Sequence, residues 1–590
     1  MMDTDRALTL ALALGFSLLG IGTLVSRLNP ATGYEESIYH ATHLLFWFGA
    51  ISALVIVVCT VLYSTDAKHR FAAVSLGVTS MTTIVALPVI RGYYYTGAGD
   101  AMSYWGWAKD IQSGVTSSFD IIYPGIMLIS LFIDAITGIG LRHAFLLVPV
   151  LFAIVFMVGV PVLVRSVRNT WLLVAIGFLS ALLLLPVNQI SRAGVFLQPY
   201  PTVAALFFLP FVLLSVVYVI DGEPKRGLVL FLVCSFSLLL VHPQQAANFL
   251  VLILAVAALG PLVTRLLSID VRWRSVTVPA ALFGVLFWGW SATRPRFESS
   301  VSGLVVSILF DNSTTGDVES ASGSLEGVGG SIVELFVKLF VVDLLYVFLT
   351  AGLIGVLVLS AMRKTALGWP PLQSEFATQL SLGLVPVGFL FVAYMLLSSQ
   401  YFRHLGFLMV IGTVLGSFCL FQLYDYGIER VSERTVKRIV SIGFILLILV
   451  SLPLVHMSPY IYQTNPHVTA EKMAGYETAI DVVGSSEIVT IRDHPRRFGD
   501  ALHGRDSYSS PPSNQSPDGF ADRNLASHYG ENKLLIVTED NRVDEIGVYN
   551  EFRFSEEDFA YVDSTRDTSN VYSSGEFDAY YLTTTSTDTV

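Results

Sequence analysis

Asp100, Ser103, Tyr104 and Trp107 stand at intervals of three, four and seven residues in the stretch GDAMSYWGWAKD. If a helix starts near Asp100, that spacing puts all four on one face. The face would hold a carboxylate, two hydroxyls and an indole ring. Carboxylates take protons from hydroxyls, and aromatic rings stack on the C–H faces of sugars. The same residues also suit a plainer purpose. Gly99-Asp100 is a good helix N-cap, and Trp and Tyr gather at membrane interfaces.

The elements around this stretch are apolar. The 590 residues are 53% hydrophobic and 14% charged, where soluble domains carry about a quarter charged residues. Mean hydropathy is +0.63. Apolar runs near spanning length recur at about 7–25, 41–63, 72–90, 143–164, 170–187, 201–220, 227–241, 244–263, 276–292, 343–361, 376–397, 405–424 and 438–456. The reading is therefore a polytopic α-helical membrane protein of about thirteen spans over residues 1–456. No small-residue cleavage site precedes Tyr34, so 7–25 reads as a first span and not as a signal peptide. Cys59, Cys234 and Cys419 all fall in apolar runs and suggest neither disulfides nor a metal cluster.

Charge sets the expected orientation. With a cytoplasmic N-terminus, the inner loops hold 16 Lys and Arg and the longer outer loops hold nine, as the positive-inside rule asks. The segment IIYPGIMLISLFIDAITG (121–138) is apolar but short, with Pro124 and Asp134. Counting it as a span would reverse Arg165 and Arg168, so it reads as a re-entrant or interfacial helix pair. An outer loop then runs over 91–142, and a second, rich in Gly and Ser, over 293–331.

Residues 457–590 differ in kind. They hold 23 Asp and Glu against 10 Lys and Arg, a net charge of −13. KLLIVTEDN, IVTIRDHP and NVYSSGEFDAYYLT read as strands around turns. A small extracellular α/β domain is expected, separate from the bundle, with SYSSPPSNQSPDG (507–519) as its most loop-like stretch. So acidic a surface suits high salt and would repel a phosphate.

The layout resembles the GT-C superfamily of membrane glycosyltransferases, in its archaeal and haloarchaeal form. GDAMSYWGWAKDIQSG (99–114) followed by IYPG (122–125) is similar to that superfamily's first outer loop. RHAFLLVPVLFAIVFMVGVPVLVRSVR (142–168) is similar to the following span, and NQISRAGVFLQPYPTVAALFF (188–208) to a later outer loop. NVYSSGEFDAYYL (570–582) resembles the end of archaeal members' outer domains. Two departures stand out: the acidic loop follows the third span and not the first, and the tail lacks a Trp-Trp-Asp motif. The second points to transfer of one sugar and away from transfer of a whole oligosaccharide to Asn.

The resemblance implies a polyprenyl-phosphate or dolichyl-phosphate sugar as donor, and a lipid-linked or protein-linked glycan hydroxyl as acceptor. Membrane lipid surrounds the chain, and no nucleic acid is expected as partner. Asp100 would be the general base of an inverting displacement. The leaving phosphate needs a cation at the outer end of a span. Arg403, clustered with Tyr401 and His404, is the first candidate, and Arg192 the second. His242, in LLLVHPQQAANFL, could reach sugar hydroxyls or merely join two spans, while Tyr104 and Trp107 would stack on the substrate. No cofactor is expected. A divalent ion held by Asp311, Asp317 and Glu319 together with Asp100 is the weaker option, because their spacing matches no defined loop. Two other classes are compatible with this chain. One is a transporter or flippase for a lipid-linked glycan, although no internal repeat is evident. The other is a non-catalytic surface protein working through its tail.

Overall fold

The computed structural model describes residues 2–583 except 191–193, 222–223, 268–270, 295–324, 326, 364–369, 398–401, 484–485, 510, 517 and 530–531. Of the expected sites, Arg192, Asp311, Asp317, Glu319 and most of the second outer loop lie outside the described residues, as does Tyr401.

The chain is mostly helical. Among the described residues, ten helices are long and apolar enough to cross a membrane: Asp5–Leu28, Leu44–Tyr63, Leu141–Val167, Pro201–Ile220, Pro243–Leu266, Trp273–Ala292, Ile332–Arg363, Leu372–Met395, Arg403–Ile428 and Glu433–Leu454. Three further expected spans are helices of another kind. Ala67–Val85 opens on the polar turn AKHR and stops before Pro88, resuming as the short turn Leu87–Ile90. Trp171–Ala181 has only 11 residues. Pro224–Val241 has 18 and opens on Lys225 and Arg226. Short connections make hairpins: His242 alone joins Pro224–Val241 to the helix starting at Pro243, and Pro at a first helical position is preorganised for such a start.

The bundle has two polar ends. At one, Trp171 Nε1 donates to the Val61 carbonyl (3.0 Å), Arg168 Nη1 to Gln373 (3.1 Å), and Arg272 pairs with Glu375 (2.9 Å). At the other, Tyr39 donates to the Leu452 carbonyl (2.8 Å), Gln189 to Val455 (2.9 Å) and Lys338 to Tyr460 (2.9 Å). The loop over 91–142 and the C-terminal region both sit at this second end. The loop holds two helices, Asp100–Ser113 and Gly125–Thr137. The second has 13 residues, about 20 Å, too short to cross a bilayer.

The C-terminal region carries a small sheet. Strands β3 (Ile488–Thr490), β4 (Ser513–Gln515), β5 (Leu534–Thr538), β6 (Thr568–Ser573) and β7 (Phe577–Leu582) form a five-stranded sheet in the order β4-β3-β5-β7-β6. β3 pairs in parallel with β4 and β5, while β7 is antiparallel to β5 and β6. β5 reads LLIVT and every residue is buried, the continuous apolar run of a strand covered on both faces. Leu535 and Val537 face Phe520 and Phe559. Ile488, Leu534 and Ile536 face the other way, into a core that includes Phe498 and Tyr476 and runs on into the bundle. β4 lies in the stretch expected to be most loop-like. Its residues are exposed, because it is an edge strand and carries no apolar pattern to betray it. A second, two-stranded ladder ties the tail to the first outer loop: β1 (Tyr95–Thr96) pairs antiparallel with β2 (His467–Val468), Tyr95 opposite Val468.

Candidate active site

Helix Asp100–Ser113 starts where Gly99 serves as N-cap, so Asp100 is the first helical residue and not the cap. That position suits an anion, since the first-turn amides carry the positive end of the helix dipole. Gly99 also makes room: a Cβ there would lie 3.1 Å from the Tyr200 hydroxyl. The Asp100 side chain is 49% exposed and pairs with Arg497 Nη2 at 2.6 Å. Arg497 Nη1 donates to Ser103 Oγ (2.7 Å), and Ser103 in turn donates to Asp500. One turn on, the Arg505 guanidinium lies 4.2 Å from the centre of the Trp107 ring. The tail helix Pro495–His503 therefore docks along the helix that carries Asp100.

Gly106 permits this docking. A Cβ on it would fall 2.2 Å from the Asp500 carbonyl oxygen and 3.2 Å from the Arg505 nitrogen. Both obstacles are backbone. Further along, Asp110 accepts from the amide of Asp506 (2.7 Å), and Lys109 donates to the Leu502 carbonyl (2.9 Å).

The tail, expected as a body separate from the bundle, meets the outer loop directly. Its net charge is acidic, yet four of its ten basic residues, Arg492, Arg496, Arg497 and Arg505, fall in 14 consecutive positions. Two of them, Arg497 and Arg505, meet the Asp100–Trp107 face. Guanidinium, hydroxyl and ring surround Asp100 there.

A wall of rings continues from this face into the bundle. Tyr104 stacks near Trp107 (6.2 Å between ring centres) and meets Tyr123 edge-on (5.9 Å) and Tyr200 edge-on (6.1 Å). Burial, then the neighbouring Tyr123 and the Asp100 charge, push the Tyr104 phenol up, so it stays a proton donor. Tyr123 lies 5.9 Å from the His242 ring, and His242 Nε2 shares a hydrogen bond with Thr202 Oγ1 at 3.1 Å. His242 is buried and its Nδ1 has no hydrogen-bond partner. Burial, aided by the Arg403 charge, lowers it to about 3, which leaves a neutral imidazole at ordinary pH.

Arg403 and His404 complete the string. The His404 ring is held between Asn248 (3.0 Å) and Gln244 (3.2 Å), with Tyr394 4.3 Å away. Gln245 donates to the Arg403 carbonyl at 3.1 Å. The Arg403 guanidinium has no hydrogen-bond partner among the described residues. Asp100, Tyr104, Trp107, His242, Arg403 and His404 are thus linked through neighbouring rings and charges at one end of the bundle. Beside Trp107 a cavity of 440 Å³ opens between Tyr123, Asp120, Arg294 and Asp506.

Sequence reasoning missed Arg497, Arg505, Tyr123 and Tyr200. For the first two the signal was the run HPRRFGDALHGR, a basic patch in an acidic region. For the tyrosines no local pattern would have served, because their roles come from helices that meet only in the fold.

No family model and no curated protein matches the chain. Among solved structures it is similar to the Archaeoglobus fulgidus oligosaccharyltransferase, crystallised in complex with zinc and sulfate. The similarity covers 86% of this chain and 73% of that one at 10% identity, with a TM-score of 0.45.

Proposed function

We propose that the chain is a membrane glycosyltransferase that moves one sugar from a polyprenyl (dolichyl) phosphate donor to an acceptor hydroxyl on a lipid-linked or protein-linked glycan. The observation that carries this reading is the setting of Asp100. Its half-exposed carboxylate stands at a helix start, between a guanidinium and a wall of tyrosines, where the apolar bundle meets a polar domain. A lipid-borne substrate and a water-borne one can both reach such a place.

In this reading Asp100 accepts the proton of the acceptor hydroxyl as that oxygen attacks the anomeric carbon, and the donor phosphate leaves from the opposite side. The anomeric centre inverts and no covalent enzyme intermediate forms. Arg403 takes the phosphate, with its guanidinium unpaired among the described residues, and Arg192 is the second candidate. His242, His404 and the Tyr104 hydroxyl bond sugar hydroxyls, and Trp107 packs against the ring. No cofactor takes part. Purified protein incubated with radiolabelled polyprenyl-phosphate hexose and a lipid acceptor should give a labelled product of inverted configuration. Absence of transfer under donor-binding conditions would overturn the reading.

Arg403→Ala should raise the donor KM about a hundredfold and Arg403→Lys about tenfold, since a guanidinium grips two phosphate oxygens and an ammonium one. Equal, small effects of both variants would move the phosphate site to Arg192.

The proposed topology agrees with parity. Helix Asp100–Ser113 and the tail touch, so an even number of crossings separates them. Eight of the ten long helices follow the loop, an even number, and the count stays even at ten if Pro224–Val241 and the segment 170–187, whose helix Trp171–Ala181 runs on into turns, also cross. Counting Ala67–Val85 as a third crossing before the loop gives thirteen in all, the number expected from the sequence. With a cytoplasmic N-terminus, the loop and residues 457–590 lie outside the cell membrane. External protease on right-side-out vesicles is therefore expected to cut between Arg505 and Pro512, beside the exposed edge strand β4. Cleavage only after inversion would reverse the orientation.

A further inference from the structure

A cavity of 630 Å³ lies at the seam of bundle and tail, and neither Asp100, Trp107, His242 nor Arg403 lines it. Its membrane side is apolar, with Val89 in the short turn Leu87–Ile90 and Leu146 near the start of helix Leu141–Val167. Two guanidiniums come next. Arg27, in the last turn of the first helix, has its Nη1 3.6 Å from where a Cβ on Gly92 would stand. Arg142 lies 4.0 Å from the centre of the Tyr94 ring and donates to the Tyr94 carbonyl. The two cations therefore bracket the turn 92–94, where Gly92 has φ +76°, a left-handed conformation that glycine adopts without strain.

The far wall belongs to the tail. His467 is 5% exposed, stacks on Tyr93 at 3.7 Å, and leaves Nδ1 without a hydrogen-bond partner. Burial, with the charges of Arg91 and Lys472, lowers it to about 3, so the ring is neutral. Glu576 accepts from the Tyr34 amide (2.7 Å) with one oxygen and leaves the other unpartnered.

From membrane outward the order is hydrocarbon, two cations, then the carboxylates Glu471 and Glu576 and a neutral imidazole. A lipid whose phosphate carries a sugar has the same order: chain, anion, hydroxyls. We infer that this cavity binds the head group of a phosphate-linked glycolipid, with its chain along Val89 and Leu146, its phosphate between Arg27 and Arg142, and its sugar hydroxyls on His467 and Glu576. A free anion would leave the apolar side unmatched and meet Glu576 as a like charge. A phospholipid whose head group carries neither a hydroxyl nor an ammonium would give that carboxylate nothing to accept. The inference goes beyond the transfer reading and does not require Asp100 to be a base.

The test uses the full chain in detergent with a short-chain polyprenyl-phosphate hexose bearing a photoreactive group, and maps the adducts. Adducts are expected on peptides spanning 27–33, 89–94 and 142–146. Arg27→Ala and Arg142→Ala should each weaken this labelling about tenfold, and Arg27→Lys should restore part of it. Asp100→Asn should leave it unchanged. Arg27 is exposed and has no hydrogen-bond or ion-pair partner among the described residues, so its removal leaves the fold in place. Labelling that survives Arg27→Ala while sugar transfer stays intact would overturn this site and spare the transfer reading. Equal competition by inorganic phosphate would reduce it to a simple anion site and overturn the proposal. Equal competition by polyprenyl phosphate without the sugar would overturn its saccharide half.

Discussion

Asp100→Asn is expected to lower sugar transfer about a thousandfold while leaving the protein folded and its donor affinity nearly unchanged. General base catalysis contributes about 10²–10⁴ to rate, and an amide cannot take the proton. The substitution keeps the side chain's size and still offers Arg497 an oxygen. Both partners of that ion pair are partly exposed, at 29% and 49%, so the lost charge costs at most about 1 kcal/mol of stability after solvent screening. Steady-state transfer assays beside a thermal melt would separate the two effects. Turnover within tenfold of the parent, in a protein of unchanged melting temperature, would remove Asp100 from the chemistry.

Gly106→Ala should have the second largest effect, and through position alone. Alanine favours a helix interior over glycine by about 1 kcal/mol, so the substitution strengthens helix Asp100–Ser113 taken by itself. The added methyl would nevertheless sit 2.2 Å from the Asp500 carbonyl oxygen, and backbone cannot swing aside. The tail helix must retreat by about an ångström, which carries Arg497 and Arg505 away from the Asp100 face. A displacement of that size can cost about a hundredfold in rate. We expect that loss in kcat, together with faster protease cutting of the tail. Gly20→Ala, where the added Cβ meets nothing within 4 Å, should change neither. Full activity in Gly106→Ala would show that the docking of tail on loop is not needed for transfer.

The bundle was legible in the sequence because lipid imposes length and apolarity on each span. The ambiguous helices are those where a second demand intrudes, as with the polar turn AKHR of Ala67–Val85. Strands β3, β5, β6 and β7 could be read from their apolar or hairpin patterns, while β4 could not, since an exposed edge strand of Ser, Asn and Gln has no apolar periodicity. The Asp100–Trp107 face was readable from helical spacing alone. Its partners were not. Arg497 lies almost four hundred positions further on, and nothing local announces that a basic patch in an acidic region will be spent on an outer loop. The same holds for Gly106, whose helix position reads as a small local penalty until the neighbouring backbone is seen.

The pairing of β1 with β2 also sets an order in time. It joins Tyr95 to Val468, so the ladder cannot close until nearly the whole bundle has been synthesised and threaded. Closing so long a loop costs only slightly more entropy than closing a short one, because the penalty grows as the logarithm of length. What stays incomplete until then is the core behind Ile488, Leu534 and Ile536, which runs on from tail residues into the bundle. The tail therefore leaves the insertion machinery as an unfinished chain and matures against a scaffold already built. Assembly of the Asp100–Trp107 face then comes late in biogenesis, and a half-inserted molecule carries Asp100 without its arginines.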